Sequence, residues 1–277
     1  MTGELYVVAT PIGNLGDMVP RAVEVLHAAD LIAAEDTRHS GRLLKHLGIE
    51  KPMVAYHDHG ELRHTQRILQ ALEQGQKVAL ISDAGTPLIS DPGYRLVREA
   101  RQLGIRVTPL PGPCAAIAAL SAAGLPSDRF SFEGFPPAKR AARQKTFSAL
   151  SDDPRTLIFY ESPHRILDTL EDMSEAFGGD REAVLARELT KAFETFLTGD
   201  LDDLKRRVAE DANQQRGEIV VLVRGAPEAV VVGDEEQRRV LAVLMAELPL
   251  KQAASLAAKI TGGQKNALYQ LALSLKG

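Results

Sequence analysis

Between residues 5 and 110, short apolar, β-branched runs alternate with amphipathic stretches. "LYVVA" (5–9), "DLIAAED" (30–36), "MVAY" (53–56), "KVALIS" (77–82) and "IRVTPL" (105–110) read as strands. Between them, "PRAVEVLHAA", "SGRLLKHLG", "ELRHTQRILQALEQ" and "GYRLVREARQLG" read as helices. "HLGI" and "QLGI" carry the glycine expected just past a helix C-terminus. Strand–helix alternation of this kind predicts an α/β fold with a mainly parallel, helix-covered sheet.

The texture changes near residues 111–130, where "PGPCAAIAALSAAGLPSDRF" opens on a Pro-Gly-Pro break, runs as a small-residue helix and stops at Gly124 and Pro126. A second α/β unit follows, with strands at "FSFEGF", "RTLIFYES", "REAVLARELT", "AFETFLTG" and "GEIVVLV" (217–223). The alternation in "AFETFLTG" predicts antiparallel pairing there. "RGAPEAVVVGDEEQ" looks like a linker. Three short helical patterns then end the chain, separated by "LPL" and "TGG", in the manner of a helix-turn-helix module or of a helical cap. The expected division is 1–117, 118–230 and 231–277.

Composition narrows the class. Of 277 residues, 44% are hydrophobic and 25% charged, as in ordinary globular proteins. No apolar run approaches the ~20 residues of a membrane helix. "MTGELYVVAT" lacks the layout of a signal peptide and reads as a first strand. One cysteine, Cys114, excludes an intramolecular disulfide and a Cys-rich metal site, and points to a reducing cytoplasm. The net charge of −4 decides nothing about nucleic acid, because the local patch matters there.

In an open α/β sheet, ligands gather outside the carboxyl ends of the strands. After the five strands come "ATPIGNLGD" (9–17), "AEDTRHSGR" (34–42), "YHDHGE" (56–61), "SDAGTPLISDPGYR" (82–95) and "PLPGPCAA" (109–116). All five carry polar or special-geometry residues, while the opposite ends read as plain turns, so one edge is marked as a site. Familiar motifs are missing: "GNLGD" is not G-x-G-x-x-G, and there is no P-loop, H-E-x-x-H or G-x-S-x-G. His57 and His59 would need a third ligand to hold a metal, so none is expected. "EDTR" sets Glu35 and Asp36 beside Arg38, as an ion-pair network or a substrate grip. "YESPHR" ends a strand on Glu161 and opens a helix near Pro163, and "ARELTK" presents Arg187, Glu188 and Lys191.

"ATPIGNLGD", "AEDTR", "SDAGTPLISDPG", "LPGP", "AAGLPSDRF", "FEGFPP", "FYESPHR", "RELTK" and "GEIVVLV" follow one another, together covering residues 4–224 almost continuously. In this order they resemble the tetrapyrrole-methylase superfamily. More narrowly, they resemble its branch that methylates the ribose 2′-hydroxyl of a cytidine in small-subunit (16S) ribosomal RNA. Corrin and porphyrin methylases carry GxGPGD after strand one, whereas this chain has "TPIGNLGD", which counts against a tetrapyrrole substrate.

The resemblance implies S-adenosylmethionine (SAM) as methyl donor, held in a cleft between two α/β domains. It implies contacts from Pro11, from Ser82, Asp83, Ala84 and Ile89, from Cys114 and Ala115, and from Glu161 and Leu189. Small residues and turns suit such a loop, because backbone groups must come close to the ligand. For a base near the hydroxyl, His57, Asp36, Glu161 and Glu188 remain open, with Arg38, Arg187 and Lys191 available for phosphates or for the hydroxyl itself. Glu161 could instead cap the next helix, and Arg187 and Glu188 could form ion pairs. RNA contacts are expected from Lys139, Arg140, Arg143 and Lys145 in "PPAKRAARQK" and from Lys251 and Lys265 in the terminal helices. The resemblance also implies a homodimer. Two other readings compete: a methylase of a corrin precursor, and a non-catalytic SAM sensor that binds nucleic acid.

Overall fold

In the computed structural model, residues 3–57, 62–227 and 234–276 are described. His59 and residues 228–233 of the expected linker lie outside them. The chain forms two compact units, Met1–Ala226 and Pro227–Gly277.

The first unit opens with β1 (Glu4–Val8), α1 (Pro20–Ala28), β2 (Leu31–Ala34), α2 (Thr37–His46), β3 (Met53–Ala55), α3 (Leu62–Glu73), β4 (Lys77–Ile81), α4 (Tyr94–Gln102) and β5 (Arg106–Leu110). Its strands form one parallel sheet in the order β3-β2-β4-β1-β5. Strand periodicity sorts the apolar residues onto two faces. Leu5, Leu31, Ala33, Val78 and Leu80 pack with Ile68 and Leu72 of α3 and Leu96 of α4. Val8, Ile32, Ala34, Ala79 and Ile81 pack with Ala22 and Leu26 of α1 and Leu44 of α2. Both faces are covered, so β2 and β4 read as unbroken apolar runs. The helix α2 begins at Thr37, ahead of the expected "SGRLLKHLG", because the Asp36 carboxylate accepts the N–H groups of Arg38 and His39 and caps it.

The second sheet follows: α5 (Ala115–Ala123), β6 (Phe130–Gly134), α6 (Arg140–Leu150), β7 (Thr156–Glu161), α7 (Ile166–Phe177), β8 (Glu182–Arg187), β9 (Thr195–Asp200), α8 (Leu201–Glu210) and β10 (Ile219–Val223). Its order is β6-β7-β10-β8-β9. Only β6 and β7 pair in parallel; β9 pairs antiparallel with β8, as its alternation predicts. One face packs on α6, α7 and α8 through Phe147, Leu170, Met173, Leu204 and Val208. The other packs on Ala116, Ala119, Leu120 and Ala123 of α5, and on Ile12 from the loop after β1. The helix α5 therefore belongs to the second sheet's core, and the expected division after residue 117 falls inside it. Its alanines let the helix lie close to the strands.

The terminal unit holds α9 (Asp234–Glu247), α10 (Leu250–Thr261) and α11 (Lys265–Lys276). They enclose a small core of Leu241, Ala253, Ala254, Ala257, Leu268 and Ala272. Among the described residues, no helix is long and apolar enough to cross a membrane.

One expected RNA contact is corrected here. The Arg143 side chain is only 3% exposed, and its Nη2 lies 2.6 Å from Oδ2 of Asp172, which is wholly buried. Its period places it on the inner face of α6, so it is a structural ion pair and not a phosphate contact. Arg140 reaches the other oxygen of Asp172 and also Glu175, while Lys139 and Lys145 are exposed. Asp172→Ala strands a buried guanidinium. It should cost about 3–5 kcal/mol in denaturant unfolding. Arg140→Ala, at a guanidinium 61% exposed, should lower the unfolding midpoint far less.

Candidate active site

The carboxyl ends of the first sheet are tied together by backbone. Thr10 N–H donates to Gly85 O at 2.9 Å, and Gly85 N–H returns to Thr10 O at 3.0 Å. The Thr10 hydroxyl donates to Ser82 O, the Ser82 hydroxyl to Gly85 O, and the Thr86 hydroxyl to Pro113 O. The loops after β1, β4 and β5 thus form one wall. The loop after β2 joins it, because Asp36 N–H donates to Asp83 Oδ1 and the Asp83 N–H reaches the Glu35 carboxylate.

The second sheet supplies the facing wall through the turns after β7 and β8 and before β10. Between the walls lies a cavity of about 350 Å³. It is lined by Ile12, 84–86, 89–91, Cys114, Ala115, Phe135, 160–163, Leu189 and 217–220. Of the residues expected to contact a cofactor, Ala84, Ile89, Cys114, Ala115, Glu161 and Leu189 line it. Pro11, Ser82 and Asp83 do not; they lie in the loops that carry the lining residues.

Strain marks the same loops. Among the described residues, the non-glycine positions with positive φ are Leu88, Ser90, Glu188 and Thr190, all on the loops after β4 and β8. Two glycines are dictated by space. A Cβ on Gly13 would lie 2.4 Å from Cγ of Lys191, so only glycine lets the first loop close against the second sheet. A Cβ on Gly217, at φ +79, would lie 2.3 Å from the Glu188 carboxylate.

The expected catalytic residues divide by engagement. The Glu161 side chain is wholly buried. Its Oε1 accepts from Ser162 N–H at 2.7 Å and from Arg165 Nη2 at 2.5 Å, and its Oε2 from the Thr169 hydroxyl at 2.6 Å. It anchors the turn into α7. The Glu188 carboxylate accepts from Lys191 Nζ at 2.7 Å and Glu218 N–H at 3.0 Å. Burial pushes it up, but those donors outweigh burial and hold it below the usual glutamate range. Lys191 also meets Glu218 at 2.9 Å. Arg187 is buried and donates to Gln214, to the Phe193 carbonyl and to the Thr195 hydroxyl. It binds neutral acceptors rather than Glu188. Asp36 caps α2, and its bond from the Arg38 N–H first of all holds it below the usual aspartate range. Arg38, with a side chain 91% exposed, and His57, exposed just past β3, stand open to solvent.

Sequence reasoning passed over Asp91, Ser90, Tyr160, Ser162 and Glu218, although all line the cavity. Tyr160 and Ser162 flank Glu161, and "SDPG" is turn chemistry in a loop already marked, so the signal was present without its address. Asp91 is pushed up to about 6 by burial foremost, with the Glu35 and Asp83 carboxylates adding, against a hydrogen bond from Ser82. Among the described residues, no group of three or more His, Cys, Asp or Glu could hold a metal ion.

Comparison with known proteins sets this geometry in a family. Residues 4–205 match the Tetrapyrrole (Corrin/Porphyrin) Methylases, and residues 231–276 match the RsmI C-terminal HTH domain. The chain is 61% identical over 277 residues to ribosomal RNA small subunit methyltransferase I of Pseudomonas aeruginosa, covering 99% of this chain and 98% of that one. It is 57% identical over 275 residues to the protein of the same name from Escherichia coli O157:H7, covering 99% and 96%. Solved structures share the two-sheet fold at low identity. Uroporphyrin-III-C-methyltransferase from Thermus thermophilus aligns with a TM-score of 0.57 at 21% identity, over 80% of this chain and 94% of that one. The methyltransferase CobJ aligns with a TM-score of 0.60 at 20% identity, over 81% and 95%. With its strand order, cavity and terminal helices accounted for together, the chain belongs to the tetrapyrrole methylase family, among the ribosomal RNA small subunit methyltransferase I proteins.

Proposed function

We propose that this protein is a SAM-dependent methyltransferase acting on the ribose 2′-hydroxyl of a cytidine in small-subunit ribosomal RNA. The observation that carries this reading is identity of 61% with a ribosomal RNA small subunit methyltransferase, over a match that spans 99% of the chain.

The residues present fit the cofactor. A cavity of about 350 Å³ falls in the range of small-molecule sites. Ile12, Ile89, Leu189, Ile219 and Val220 offer an apolar wall, and Ser90, Asp91 and Ser162 a polar one. Gly85 and Gly217 let backbone come close to a ligand, and Asp91 adds a negative charge for a cationic one. When bound, SAM supplies a methyl group on a positively charged sulfur. In this reading Ala84, Ile89, Cys114, Ala115, Glu161 and Leu189 enclose it, while Pro11, Ser82 and Asp83 hold the enclosing loops. Holding the hydroxyl in line with the methyl group is the main contribution, since orientation alone can supply on the order of 7–11 kcal/mol. Glu161 and Glu188 fix the walls through their donors. Arg38 and His57 face solvent at the carboxyl edge of the first sheet, where an incoming ribose or phosphate is met. The protein works in the cytoplasm, as a homodimer, on the nearly assembled small subunit.

RNA affinity comes from Lys139 just ahead of α6, from Lys145 on it, and from Lys251 and Lys265 in the terminal unit, all exposed. Arg140, shared between Asp172 and Glu175, adds less.

Transfer of labelled methyl from SAM to small subunits purified from cells lacking this protein should yield labelled 2′-O-methylcytidine. Unlabelled subunits, with SAM still bound by the protein, would overturn the substrate. Replacing Lys251 and Lys265 together by alanine should leave SAM binding intact and weaken subunit binding. The slope of log K against log salt should fall by about 2 in a filter-binding series.

A further inference from the structure

Three carboxylates line the cavity: Asp91, Glu161 and Glu218. Two of them are answered by cations, Glu161 by Arg165 at 2.5 Å and Glu218 by Lys191 at 2.9 Å. Asp91 is not. The charged groups that act on it are the carboxylates of Glu35, from the loop after β2, and Asp83, from its own loop. Across the cavity stand the Tyr160 hydroxyl, itself engaged by Ala116 N–H at 3.1 Å, and the Cys114 thiol. The Ser82 hydroxyl, with one proton for Asp91 and Gly85 O alike, is a neutral partner. Among the described residues, then, Asp91 is a half-buried carboxylate with acids for charged neighbours and no cation in ion-pair reach.

Such an arrangement is unfavourable in the empty protein, because burial and like charge both disfavour the ionised form. A neutral ligand would leave that cost standing, and an anionic one would add to it. A ligand with a positive centre relieves it.

We infer that Asp91 is the counter-charge that holds the cationic end of the ligand bound in this cavity. The inference rests on the methyltransferase reading, since SAM carries two positive centres, an ammonium and a sulfonium. Both are the same chemistry to a carboxylate, and S-adenosylhomocysteine, which keeps the ammonium and lacks the sulfonium, separates them.

The pH dependence has a definite sign. The Asp91 carboxyl is raised above the ordinary aspartate value, to about 6. It is ionised above that pH and neutral below it, so affinity for a cation falls as pH drops through about 6. In the ligand-free protein the same shift acts the other way. The ionised form is the disfavoured one, so stability is lost as pH rises from the ordinary value of 3.8 to about 6 and is level above that.

The experiment is calorimetric titration of SAM and of S-adenosylhomocysteine into the full chain, wild type and Asp91→Asn, between about pH 5 and about pH 8, with melting temperatures of the ligand-free proteins alongside. Wild type should bind SAM about tenfold more weakly at the acid end, a decade being about 1.4 kcal/mol. Asp91→Asn should bind SAM about tenfold or more weakly at the alkaline end, and most of the pH dependence should disappear. The ligand-free variant should melt above wild type, and by a wider margin at alkaline pH than at the acid end. A residue that merely supported the loop would not weaken binding while raising stability. A loss confined to SAM assigns the sulfonium, and a loss shared by both compounds assigns the ammonium. An Asp91→Asn protein that binds SAM as wild type does removes the assignment and leaves the methyltransferase reading in place. A wild type that binds neither compound removes both.

Discussion

The paired backbone bonds between Thr10 and Gly85 are the constraint on which the site depends. They join the loops after β1 and β4 where two central strands of a parallel sheet end. Each loop alone would present unpaired N–H and C=O groups to the cavity, which is costly when water is displaced. Joined, they satisfy each other, and side-chain bonds from Thr10, Ser82 and Thr86 extend the seam to the loop after β5. Ile12 then reaches from this seam into the core of the second sheet. The spacing of the two walls follows from this packing and backbone pairing.

Strain is concentrated where the walls face each other. Four non-glycine residues with positive φ lie in two loops, and Thr190 among them is β-branched. Each such residue costs on the order of 1–3 kcal/mol. The surroundings hold them there. Thr190 N–H donates to Glu194 at 2.6 Å, and Lys191 closes on Glu188 and Glu218. Loops fixed in this way present small side chains and backbone to the cavity without having to order on binding.

Charge is divided between holding the structure and remaining available. Arg143, Arg140 and Arg165 neutralise acids that the fold buries, and Lys191 bridges two carboxylates at the cavity rim. Lys145, two residues on from Arg143 and so on the opposite face of α6, and Lys139, just ahead of the helix, stay in solvent. A run of four cations in ten residues thus holds two different populations: Arg140 and Arg143, three apart on one face of α6, meet Asp172, while Lys145 on the other face and Lys139 at the helix start do not.

Much of the fold was legible from local pattern. Unbroken apolar runs identify strands buried on both faces, amphipathic stretches identify their covering helices, and five polar loops at one edge mark the site, because burial and turn geometry are properties of a few neighbouring residues. The motifs in register carried the family. What the tertiary structure decided depends on partners distant in the chain. It assigned α5 to the second sheet, since an alanine helix fits either side until the strands facing it are known. It turned Arg143 inward to Asp172, 29 residues away, and engaged Glu161 and Glu188 as anchors. It left Asp91 unanswered among Glu35 and Asp83, which no local rule brings together. Periodicity and turn chemistry are written in the order of residues, whereas which charge meets which is written only in the folded arrangement.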